Sequence, residues 1–140
     1  NAIQQGIELA KTKGAKRAIM LPMSIPSHCS LMKPAAEQMK QQLEKVPLHA
    51  PDLPILHNAD VKSHTNPATI KDRLVQQLVS PVRWVDTIRA IAATGVTHVV
   101  ECGPGKVLAG LNKRIDQNLQ QLSLADSEAI TQAVNQLKVN

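Results

Sequence analysis

Apolar residues recur along this chain at two spacings. Ile3, Ile7 and Ala10 return every three to four residues, the period of one helix face, and predict a helix over Ala2–Lys13 stopped by Gly14. Lys16–Leu21 reads as a short strand through Ala18-Ile19-Met20-Leu21, and the prolines at 22 and 26 leave Met23–Cys29 as an extended, kinked connector. A second helix starts near Pro34 and buries Ala35, Met39 and Leu43. Pro47, Pro51 and Pro54 make an irregular crossing into Ile55–Ala59, which reads as a buried strand.

Asn66-Pro67 is a strong helix start, with Asn66 able to cap and Pro67 at the first helical position. Ile70, Leu74 and Leu78 carry that helix until Ser80-Pro81 ends it. Trp84, Ile88, Ile91 and Ala92 mark another, stopped at Gly95, and Val96–Cys102 is the clearest strand. Gly103-Pro104-Gly105 turns the chain into a helix with Val107, Leu108, Leu111 and Ile115 on its apolar side. Asp126 or Ser127 caps a last helix through Ile130, Val134 and Leu137. Helices alternating with strands predict an α/β fold with a largely parallel sheet.

Composition narrows the function classes. The 140 residues suit one domain, and no apolar run approaches the roughly 20 residues that span a bilayer. Two cysteines, Cys29 and Cys102, show no metal-ligand spacing and no disulfide framework, so a reduced, cytoplasmic setting is expected. One Trp and no Phe or Tyr argue against a nucleic-acid platform, which needs rings to stack bases. The net charge of +5 describes either a solvated basic surface or a docking face for an acidic partner. The chain opens inside a helical pattern without a methionine, which predicts a piece of something longer.

Among candidate chemistry, His28 follows a proline-stiffened connector, a sensible way to hold a general base, and an ordinary partly buried histidine is the alternative. Cys29 beside it is poorly placed for activation, because neighbours in extended chain point to opposite sides. None of the serines sits in a Gly-x-Ser-x-Gly elbow. His49, His57, His64 and His98 lack metal-type partners and read as loop or surface residues. Cys102-Gly103-Pro104-Gly105-Lys106 is either a ligand-facing turn before a helix N-terminus or a tight structural turn.

Together these pieces form a specific pattern. Gly14–Ala18, Ser24–Ala36 with its Ser-Ile-Pro-Ser-His-Cys core, Asn58–Val61, Leu74–Leu78, Pro81–Trp84 and Glu101–Leu108 occur in an order that resembles the bacterial malonyl-CoA–acyl carrier protein transacylases. The resemblance covers nearly the whole chain. It implies the C-terminal part of a hydrolase-like α/β subdomain (residues 23–140), preceded by the last helix and strand of a ferredoxin-like subdomain (residues 1–22). It also implies malonyl transfer from coenzyme A to acyl carrier protein through a seryl ester. Coenzyme A and phosphopantetheine would then be substrate parts, and no resident cofactor or metal is expected.

By the same resemblance His28 is the general base, and Gln77 supplies the backbone carbonyl that orients its ring. The family's serine elbow, its N-terminal oxyanion segment and its malonyl-pairing arginine are not in this sequence. The chain alone is therefore expected to be inactive, with malonyl-CoA, acyl carrier protein and the missing N-terminal half as partners, and neither nucleic acid nor membrane. Acyl carrier proteins are acidic, so Lys16, Arg17, Lys113 and Arg114 become candidate docking residues. The rival expectation is a non-catalytic module that binds the carrier.

Overall fold

The computed structural model describes residues 2–138. Helix α1 (Ala2–Thr12) ends as expected, with Gly14 at a φ of 88° just beyond it. Residues 16–23 join no strand ladder, so the strand expected over Lys16–Leu21 does not form. A strand needs a ladder partner, and Ile19, Met20 and Leu21 stand exposed instead. With Ile3 and Met23 they line an open apolar hollow of about 310 Å³. Helix α1 packs on no other helix or strand among the described residues.

A single 3-10 turn (Ser30–Met32) leads into α2 (Lys33–Glu44), with Pro34 in its first turn. Helix α3 (Pro67–Val79) begins at the expected cap: the Asn66 side-chain oxygen accepts the Ala68 and Thr69 N–H groups at 2.9 and 3.2 Å. Helices α2 and α3 pack together, and the 3-10 turn packs against both. Between them, Ile55–Ala59 is not the expected strand. Only an isolated antiparallel bridge, Leu56 with Ser63, survives there. The chain turns at once through Asn58–Asp60 and closes a loop in which Val61 has a φ of 59°, unusual for a branched residue.

The second half holds the sheet. Helix α4 (Trp84–Ala93) precedes β1 (His98–Glu101), then α5 (Val107–Ile115), β2 (Gln120–Ser123) and α6 (Ser127–Lys138). Strands β1 and β2 are parallel, His98 opposite Gln120 and Glu101 opposite Ser123, joined through α5 as parallel strands require. Strand β2 carries no apolar signature, because Gln120 and Gln121 open it. Gln121 instead accepts from Asn112 (3.1 Å), whose own oxygen takes the Trp84 indole N–H (2.9 Å). Asn112 is almost fully buried, and this polar chain ties α4, α5 and β2 together without leaving its amide unpaired.

Few side chains are fully enclosed: Ala36, Ile70, Ile88, Leu119 and Ala133 are the buried apolar residues. The accessible surface is 10419 Å². A folded monomer of this mass exposes about 7,100 Å². The excess is substantially apolar, with Leu31 and Val107 each 71% exposed. No described helix is long and apolar enough to cross a membrane.

Candidate active site

His28 lies on the connector between α1 and the 3-10 turn, with a φ of 60°. That left-handed conformation costs on the order of 1 kcal/mol for a residue with a Cβ, so something must hold it. Cys29 helps: its thiol donates to the Pro26 carbonyl (3.2 Å), and its carbonyl accepts the Met32 N–H (3.0 Å) as the 3-10 turn begins. The thiol is thereby bound to backbone.

The imidazole reaches across to α3, where Nδ1 stands 2.8 Å from the Gln77 carbonyl oxygen. A carbonyl only accepts, so Nδ1 carries the proton and donates it. In the neutral ring this leaves Nε2 with its lone pair, the atom able to take a proton from a nucleophile. The side chain itself is exposed, open to a substrate rather than sealed in the core. Gln77 sits in the last turn of α3, where carbonyls have no helical partner of their own.

A second polar cluster closes the loop before α3. His64 Nε2 and Asp60 Oδ2 are 2.8 Å apart, Arg73 reaches the same oxygen at 3.8 Å, and the His57 and His64 rings lie 5.5 Å apart. His57 lies in a loop, as one of the two expectations had it, but it is buried rather than at the surface. Burial lowers its pKa below the ordinary histidine value. The His64 and Arg73 charges act the same way, and Asp60 opposes them. Burial alone would raise the Asp60 carboxyl, but the His64 bond, the Lys62 N–H and the His64 and Arg73 charges together hold it below the ordinary carboxylate value. The i, i+4 spacing of Asp60 and His64 was the only sequence signal for this cluster.

The Gly103–Gly105 turn resolves between its two readings. Gly103 and Gly105 have φ of 149° and 153°, which only glycine adopts readily, and the Gly105 N–H bonds back to the Gly103 carbonyl at 3.0 Å. The first free N–H groups of α5, on Leu108 and Ala109, are taken at 3.2 and 2.8 Å by the Glu101 carboxylate. The helix N-terminus already holds an anion of the chain's own, so the turn is structural.

Lys16 and Arg17 are exposed beyond α1, and Lys113 and Arg114 are exposed in the last turn of α5. None of the four forms an ion pair with another described residue. Asn58 contributes its backbone, its carbonyl accepting the Arg83 N–H at 3.0 Å.

A two-stranded parallel unit wrapped by helices, with a histidine oriented by a main-chain carbonyl, places the chain among α/β proteins. No profile of a known protein family matches it. Individual relatives do. The malonyl CoA-acyl carrier protein transacylase of Salmonella typhimurium is 47% identical over 135 residues, covering 96% of this chain and 44% of that protein. Its Bacillus subtilis counterpart is 43% identical over 136 residues. The solved acyl-carrier-protein S-malonyltransferase of Burkholderia pseudomallei superposes with a TM-score of 0.88 at 50% identity, over 95% of this chain and 43% of that one. A malonyl-transacylase solved in complex with its type II PKS acyl-carrier protein gives 0.90 at 40% identity, over 96% of this chain and 44% of that one. The chain belongs to the malonyl CoA-acyl carrier protein transacylase family, and it spans less than half the length of the relatives it matches.

Proposed function

We propose that this chain supplies the general base of malonyl transfer from coenzyme A to acyl carrier protein. The observation that carries the reading is the His28 Nδ1–H bond to the Gln77 carbonyl, which leaves Nε2 basic. In the proposed cycle Nε2 takes the proton of a serine hydroxyl as its oxygen attacks the malonyl thioester. The carbon–sulfur bond breaks, and the coenzyme A thiolate leaves with the proton from Nε2–H. The carrier's phosphopantetheine thiol then gives its proton to Nε2 and attacks the seryl ester, whose oxygen regains a proton from the same ring. A carbonyl in place of a carboxylate fixes the tautomer without adding negative charge beside an incoming malonyl group.

The serine would come from the part of the family's length that this chain does not span. The surface excess supports that arrangement, since apolar faces such as the hollow beside α1 would be covered by it. Residues 1–22 would close the ferredoxin-like subdomain, and residues 23–140 would form the C-terminal part of the larger one. Lys16, Arg17, Lys113 and Arg114 would meet the acidic carrier, in a cytoplasmic setting. The non-catalytic carrier-binding reading has only this basic surface in its favour, and it leaves the His28 geometry unused.

The test is a chimera in which this chain replaces the matching 43% of the Burkholderia enzyme. Malonyl transfer by the chimera, and none by the 140-residue chain alone, is the expected result. A folded chimera without transfer would count against the proposal, as would turnover by the lone chain.

A further inference from the structure

In an α-helix the carbonyl of one residue is taken by the N–H four residues on. For Gln77 that residue is Pro81, which has no N–H. In a continued helix the other three carbonyls of the last turn of α3, on Gln76, Leu78 and Val79, would pair with Ser80, Val82 and Arg83, all of which carry an N–H. Pro81 acts on its neighbour too. A residue before proline is pushed out of the helical region, and Ser80 is extended at φ −119° and ψ 147°, ending α3 at Val79. The Ser80 N–H is thus turned out of a tighter bond to Gln77, and the Arg83 N–H is engaged by the Asn58 carbonyl at 3.0 Å. Among the described residues, no main-chain N–H reaches the Gln77 oxygen, and His28 does.

We infer that Pro81 is a positioning residue: by withholding its N–H it keeps the Gln77 carbonyl open for His28 and so sets the imidazole tautomer. The inference rests on the role proposed for His28 and deepens it. A carbonyl that already accepted a helical N–H would be a weaker and differently directed acceptor, because that N–H would compete with Nδ1–H for the same oxygen. The ring would then turn toward the Nε2–H form, in which the outward nitrogen has no lone pair to offer.

The test is nitrogen-15 NMR of the imidazole groups in the full 140-residue chain at a pH where histidine is neutral, with His28 assigned by a His28→Gln variant. The parent chain should show His28 protonated at Nδ1. Pro81→Ala, which restores an N–H, should shift the ring to mostly Nε2–H. N-methylalanine at position 81, which lacks both the ring and the N–H, should keep the Nδ1–H form. A folded Pro81→Ala chain that retains Nδ1–H overturns the role of Pro81 and leaves the reading of His28 standing. If the alanine variant does not fold, the N-methylalanine chain decides, because loss of Nδ1–H there overturns the inference. A parent chain already in the Nε2–H form overturns both.

Discussion

At the scale of single residues, His28 and the buried His57 show how differently two histidines of one chain can be placed. His28 is exposed, strained at φ 60° and held by one directed bond to a carbonyl. His57 is enclosed, and its folded pKa lies below its unfolded one. The sign follows from proton uptake. Above about pH 6.5 both states leave His57 neutral and its contribution is complete. As pH falls through that value the unfolded chain takes up a proton first, so stability is lost. Asp60 acts in the same direction at lower pH, its contribution fading as the carboxylate is protonated below the ordinary carboxylate value. The urea midpoint should therefore drop between pH 7 and 5.5, and His57→Asn should flatten that part of the profile. A slope unchanged in the variant would assign the effect to other groups. The kinked connector that carries His28 was legible in sequence through its prolines. Local pattern left the histidine open between a general base and an ordinary side chain, and only the resemblance pointed to Gln77. The Asp60–His64–Arg73 cluster was not, since Arg73 is brought to it only by the turn at Val61 and the seating of α3.

At the scale of elements, helix ends were legible, and of the two strands only β1 was, inside the expected Val96–Cys102. Asn66-Pro67 and the glycines at 14 and 95 announced their boundaries through chemistry that acts within one turn. Asn66→Ala, by removing two bonds to the start of α3, should cost about 1 kcal/mol in a urea titration. Glu101→Ala should cost about 1 kcal/mol too, by uncovering the first N–H groups of α5, and Glu101→Gln should cost less because an amide oxygen still accepts. Strands depend on partners. Lys16–Leu21 and Ile55–Ala59 have strand-like composition but no ladder, whereas Gln120–Ser123 lacks the composition and has β1 beside it. Its identity is set by the Asn112–Gln121 bond and by pairing with β1, neither visible in local pattern.

At the scale of the whole molecule, a small core and a large apolar surface go together. An accessible area of 10419 Å² leaves side chains such as Leu31, Met23 and Val107 in water, and surfaces of that kind recruit partners. The lone chain should bind a hydrophobic dye and self-associate in sedimentation, and addition of the N-terminal part of a relative should suppress both. A monodisperse lone chain that ignores the dye would contradict that reading. The most direct test of the central claim is single-turnover malonyl loading of the chimera with the Burkholderia enzyme, with and without His28→Ala. A general base in the proposed role predicts that the variant forms the seryl ester about a thousandfold more slowly while the fold is retained. Loading at the parent rate in a folded His28→Ala chimera would contradict the assignment of His28 as the base.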